Sequence, residues 1–148
     1  MGAVRLHIDD LREEEPMPEV KGYLAEEMIQ DVIAELIIGI RRDPIYGATV
    51  LLGFGGVQAE LLDDTQTLVL PISRNDIAGA LSKLKLSPLL QGYRGSVHAD
   101  IDAVIETVLN LQELMHHSSD IDEIEINPLL VLSNGAVAAD ALIRKGTK

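Results

Sequence analysis

One stretch constrains this chain more than any other. Between residues 32 and 40, the side chains of Val32, Ile33, Ala34, Leu36, Ile37, Ile38 and Ile40 leave Glu35 as the only charge. So many apolar and β-branched residues in a row, ended by Arg41-Arg42-Asp43-Pro44, read as a strand. The flanking sequence offers it partners. Residues 22–29 read as a strand paired with it and residues 48–54 as a third. Residues 57–62 resume beyond Gly55-Gly56, and residues 67–71 form a further short strand after an Asp63-Asp64 turn. Strands this close, with no helix between them, predict an antiparallel sheet. Residues 4–8 alternate Val4, Leu6 and Ile8 against Arg5 and His7 and make one more strand. Residues 9–20 are acidic and carry Pro16 and Pro18, so they read as a solvated connector.

The period then changes. Ser73 can cap a helix, with Asp76 three residues on and Ile77, Leu81 and Leu84 at helical spacing, which predicts a helix over residues 73–84. Residues 87–90 suggest a short helical turn ending at Gly92. The strongest helix spans residues 100–117, with Ile101, Val104, Ile105, Val108, Leu109, Leu111 and Leu114 in one apolar stripe. Asp100 at its start and His116-His117 at its end suit the helix dipole. The tail returns to strand over residues 121–126 and 129–132. A Ser133-Asn134-Gly135 turn and a returning strand over residues 136–143 follow. Strands, then helices, then a hairpin predict an α+β fold: an antiparallel β-sheet with two main helices.

Composition narrows the function. The chain has 148 residues, 12 Lys+Arg and 24 Asp+Glu, for a formal net charge of −12. That length suits one domain. The charge argues against nucleic acid as a partner, since phosphates need a basic face. There is no cysteine, which removes disulfides, thiol catalysis and cysteine metal sites, and fits a cytoplasmic protein. No apolar run reaches the ~18 residues of a membrane span.

Three oxygen-bearing side chains stand out. Glu125 and Asn127 are two apart on a strand and share a face. The hairpin brings Asp140 across from the Asn127 end. Such a set suits Mg²⁺, which takes hard oxygen ligands and borrows others from water and phosphate. A solvated hairpin with ordinary surface carboxylates remains the alternative. Glu26, Glu27 and Glu35 sit in apolar runs, where a carboxylate must face water, find a donor or line a cleft. Carboxylates of this kind can take ribose hydroxyls. Gly53-Phe54-Gly55-Gly56 lies between strands and reads as a bulge or close backbone approach. Gly92-Tyr93-Arg94-Gly95 is a loop whose Arg could meet a phosphate or simply turn. None of the four His residues has zinc-site spacing.

Five segments, taken in order, resemble one family. They are Ala25-Glu26-Glu27-Met28, residues 34–44, Gly53-Phe54-Gly55-Gly56-Val57, residues 89–95 and Glu125-Ile126-Asn127-Pro128-Leu129. They look like landmarks of the ATP-grasp domain of nucleoside-diphosphate-forming acyl-CoA synthetases, with succinyl-CoA synthetase β chains as more distant relatives. The resemblance runs over nearly the whole chain. It implies Mg²⁺ and ATP or ADP as cofactors, held between two α+β subdomains, and a histidine that shuttles phosphate to an acyl-CoA site. Glu27 and Gln30 fall where the family's adenine hinge lies. Glu35 resembles a second nucleotide-contacting Glu. Asn127 and Asp140 resemble the Mg²⁺ ligands, with Glu125 beside them.

The pattern also departs from the family. No Lys precedes the strand at residues 2–6, where the family's N-terminal subdomain supplies a nucleotide-binding Lys, and neither CoA-binding domains nor their histidine are present. The expectation is therefore a C-terminal, partial ATP-grasp domain over residues 1–148. It would bind Mg·nucleotide weakly and be inactive alone, as a truncated gene product, an excised piece or a subunit completed by a complementary chain. Homo-oligomerisation is compatible with this. Two other readings stay open: a structural or protein-interaction remnant without nucleotide function, and a small complete metal enzyme.

Overall fold

The computed structural model describes residues 22–56 and 64–146. The expected strands over residues 4–8 and 57–62 and the connector over residues 9–20 lie outside those. The apolar run becomes β1 (Ala34–Asp43), followed by β2 (Gly47–Phe54) and β3 (Thr65–Val69). Helices α1 (Arg74–Lys83), α2 (Ser87–Leu90) and α3 (Ile101–His117) come next, with a 3₁₀ turn at Tyr93–Gly95. The chain returns through β4 (Ile121–Val131), β5 (Ala136–Ala138) and β6 (Ala141–Lys145). The six strands form one antiparallel sheet in the order β3-β2-β1-β4-β5, with β6 also on β4. The fold is the expected α+β one.

The helices cover one face of this sheet. Leu36, Ile38 and Ile40 of β1, Val50 and Leu52 of β2, and Ile124 and Leu129 of β4 point into the core. There they meet Ile77, Leu81 and Leu84 from around α1 and Val104, Val108 and Met115 of α3, all buried. The alternating residues Glu35, Arg41, Leu51, Thr67 and Asn127 lie exposed on the other face. Strand periodicity of two makes that division inevitable once one face is packed.

Local rules explain most boundaries. Ser73 caps α1 as a capping box: its hydroxyl accepts from the Asp76 N–H at 3.3 Å, and the Asp76 carboxylate accepts from the Ser73 N–H at 2.8 Å. Asp100 caps α3, accepting from the Ala103 N–H at 3.0 Å. Arg41, Arg42 and Asp43 extend β1 rather than ending it. The turn starts only where the Asp43 carboxylate accepts from the N–H groups of Ile45 (2.8 Å) and Tyr46 (2.9 Å). These bonds hold its carboxyl below the usual range.

Two expectations need correction. Residues 22–29 form no strand: Tyr23, Leu24 and Met28 are 69%, 84% and 78% exposed. The reason is competition, because β2 and β4 occupy both sides of β1 with longer ladders. The returning strand over residues 136–143 is not continuous either; it breaks at Ala139-Asp140 into β5 and β6. Residues 121–131, by contrast, run as a single strand with a bulge. Between Leu36 and Ile38 on β1, β4 advances from Ile126 to Leu129, one residue extra. The bulge falls at Asn127-Pro128, returns Leu129 to the core side and suits a proline, which has no N–H to pair.

Candidate functional site on the open sheet face

The face that the described residues leave uncovered carries the candidate residues on its strands. Gly39 sits mid-strand on it, opposite Glu125, and a Cβ there would meet nothing within 4 Å. A groove of about 270 Å³ runs across the spot, lined by Ile37, Gly39, Arg41, Leu51, Thr67 and Glu125. A side-chain-free position in the middle of a strand is a place where a ligand can approach the backbone.

At the β4–β6 side, the structure brings together Glu125, Asn127 and Asp140. All three line one cavity of about 290 Å³, with Ala141 and Leu142. The main chain holds the pair in register: the Asn127 N–H donates to the Asp140 carbonyl at 3.1 Å, and the Ala139 N–H to the Pro128 carbonyl at 3.0 Å. The Asn127 Nδ2 donates to Glu125 Oε1 at 3.3 Å, which turns the amide oxygen to the other side. The break between β5 and β6 leaves the Asp140 side chain exposed at the cavity.

The donor set fits a hard cation. It offers two carboxylates and one amide oxygen, the ligand chemistry of Mg²⁺. Among the described residues, no group of three His, Cys, Asp or Glu side chains gathers closely enough to hold a metal alone. The set is therefore a partial shell, suited to a cation that brings water or phosphate oxygens with it.

Glu35 marks the other end. It is exposed on the open face near a cavity of about 530 Å³ bounded by Val32, Ala34, Phe54, Gly55 and Leu89. The Gly55 N–H donates to the Glu35 carbonyl at 2.7 Å, and a Cβ on Gly56 would lie 3.4 Å from Glu35 Oε2. Gly53 has less room still, since a Cβ would come within 2.8 Å of the Thr65 side chain. The glycine-rich stretch is thus a close backbone approach, as expected. Two residue steps along β1 and two strand spacings separate Glu35 from Asp140, about 12 Å on sheet geometry. Glu27 and Gln30 are placed differently. They lie in the exposed segment ahead of β1, where Gln30 Nε2 donates to the Met28 carbonyl at 3.4 Å, and no hydrogen bond among the described residues joins them to Glu35.

Sequence reasoning missed several anchoring contacts. Asp64 is buried, and its carboxylate accepts from the N–H groups of Lys85 (2.8 Å) and Leu86 (3.0 Å) ahead of α2. The Arg42 guanidinium donates to the carbonyls of Met115 (2.6 Å), Ser118 (3.1 Å) and Ile121 (2.8 Å), binding the C-terminal end of α3 to β1 and β4. Asp100 also reaches the Gly135 N–H at 2.8 Å, in the β4–β5 turn. No local pattern signals any of these, because the partners are far apart in sequence.

Known proteins match along the chain. The ATP-grasp domain family profile matches residues 2–144. The acetate–CoA ligase (ADP-forming) of Methanocaldococcus jannaschii is 34% identical over 145 residues, 97% of this chain and 20% of that ligase. The β subunit of acetate–CoA ligase (ADP-forming) II of Pyrococcus furiosus is 34% identical over 142 residues, 93% of this chain and 60% of the subunit. A crystal structure from Pyrococcus horikoshii superimposes with a TM-score of 0.77 at 30% identity, covering 98% of this chain and 61% of that one. Acetyl-coenzyme A synthetase 1 of Ca. Korarchaeum cryptofilum, in complex with coenzyme A and Mg-AMPPCP, gives 0.73 at 34% identity over 80% of this chain and 55% of that one. The chain thus spans less than two thirds of the length of each of these relatives.

Proposed function

We propose a function on one premise: this chain belongs to the ATP-grasp family. It supplies the nucleotide- and Mg²⁺-binding sheet of an ADP-forming acyl-CoA ligase. The convergence of Asn127 and Asp140, with Glu125, at one edge of an uncovered sheet face carries this reading. Asp140 and the Asn127 amide oxygen would hold the cation, and Glu125 would orient the amide. Bound there, Mg²⁺ would offset charge on the nucleotide's phosphates. Glu35, about 12 Å away along the sheet, would accept ribose hydroxyls while the phosphates reach Asp140. Glu27 and Gln30, ahead of β1, would meet the base.

The open face also sets a limit. Among the described residues it carries Glu35, Glu123, Glu125 and Asp140 against Arg41 and Arg144, and Arg144 is already paired with Glu123 at 3.3 Å. Few positive groups are left for a triphosphate, so a second, cationic layer must close over it in the working ligase. The P. furiosus relative is a subunit of such an enzyme, which supports a complementary chain as the source of that layer. The 148-residue polypeptide alone should bind nucleotide weakly and form no acyl-CoA.

Paramagnetic broadening tests the site. Titrating the labelled chain with Mn·ADP should broaden the amide signals of residues 125–127 and 139–141 first. Broadening centred elsewhere would reject this placement.

A further inference from the structure

We propose that Asp100 is a positioning residue for the metal site: its carboxylate fixes the β4–β5 hairpin that sets Asp140 beside Asn127. The inference rests on the reading of Asn127 and Asp140 as metal ligands. Asp100 belongs to neither strand. It stands at the start of α3, which is anchored by the buried Val104, Ile105 and Val108. From there its N–H and its carboxylate make two hydrogen bonds with the hairpin, and the carboxylate makes one with its own helix. Its N–H donates to the Leu132 carbonyl at 2.8 Å. Its Oδ2 accepts from the Gly135 N–H at 2.8 Å, and its Oδ1 from the Ala103 N–H at 3.0 Å.

Those contacts matter because the hairpin is otherwise lightly held. β5 has three residues, and among the described residues no strand pairs with its outer edge. Four residues separate Gly135 from Asp140. The turn at Gly135 (φ +99°) closes on one further bond, from the Leu132 N–H to the Gly135 carbonyl at 3.0 Å. A charge-assisted bond from a helix fixed in the core is the external brace on this turn. The same two N–H groups hold the Asp100 carboxyl below the usual range, so it stays ionised as the brace requires.

Asp100→Asn separates the two duties. Asn caps a helix about as well as Asp, and its single oxygen can face the Ala103 N–H. Its NH₂ then confronts the Gly135 N–H, donor against donor. Ser73→Ala serves as control, since it weakens a helix cap remote from the hairpin. Two readouts apply to the full chain: amide exchange at Asn127 and Ala139, and Mn²⁺ affinity. In Asp100→Asn, exchange at both amides should rise about ten- to a hundredfold, the cost of one lost charged hydrogen bond. Exchange at Leu52 and Val108 should not change. Mn²⁺ affinity should fall about tenfold, the low end for groups that support metal ligands. Ser73→Ala should change neither readout. Unchanged exchange at Asn127 and Ala139 overturns the brace. Faster exchange with undiminished Mn²⁺ affinity overturns its role in the site. If the unsubstituted chain takes up no Mn²⁺ while exchange still responds, the metal reading itself has failed and the proposal falls with it.

Discussion

Ile37 and Ile38 are neighbours of the same type on the same strand, yet they should respond very differently to truncation. Ile38 is fully buried beneath the helices. Ile37 lines the groove on the open face and is half-buried. Ile38→Ala removes three carbons from the core, about 2.4 kcal/mol at about 0.8 kcal/mol each. The cavity left behind raises the cost to about 3–4 kcal/mol. Ile37→Ala leaves no enclosed cavity, so only part of the transfer term and some strand propensity are lost, about 1 kcal/mol. The gap of about 2 kcal/mol or more should separate their Tm values by about 4–8 °C for a domain of this size. Urea unfolding of both variants, with slopes checked for equality, gives the comparison directly. Equal costs would refute the argument, because they would mean that both faces of β1 are packed and that no face is left for a ligand or a second layer.

Other perturbations probe separate parts of the account. Gly39→Val should leave folding intact or slightly improved, since a Cβ meets open space there, while weakening nucleotide binding by filling the groove; thermal melts and a nucleotide titration on one sample check both. Arg42→Met removes the guanidinium donor shared by three carbonyls and should cost about 2 kcal/mol, discounted for partial exposure, read by denaturant unfolding. Acid should destabilise the fold through Asp43, Asp76, Asp100 and Asp120. Hydrogen bonds from backbone N–H groups, from Ser73 and from Lys145 hold these carboxyls below the ordinary aspartate value of 3.8. Groups lowered in the folded state stabilise it fully above that ordinary value and lose their contribution as pH falls through the lower one. Unfolding free energy should therefore hold steady from neutral pH down to about 5 and drop below about 4; a rise on acidification would contradict the assignment.

What the sequence disclosed depends on distance along the chain. The Ser73–Asp76 capping box was legible because its members are three residues apart. The meeting of Asn127 and Asp140 was legible because a short hairpin with an Asn-Gly turn joins their strands. The failure at residues 22–29 has the opposite cause. An apolar stretch signals strand locally, but pairing is settled by competition, and β2 and β4 hold both edges of β1. The bulge at Asn127-Pro128 escaped notice because it exists only relative to β1. Asp64 to Lys85, Asp100 to Gly135 and Arg42 to Ile121 span 21, 35 and 79 residues, so no local pattern could reveal them.

The central claim, that this sheet face takes a metal–nucleotide complex at Asp140, is tested most directly by calorimetric titration with ADP, with and without Mg²⁺, on the chain and on Asp140→Ala. The account predicts weak binding that requires Mg²⁺ and disappears in the variant. Binding of equal strength without the metal, or unchanged in Asp140→Ala, would contradict it, as would no binding at millimolar nucleotide.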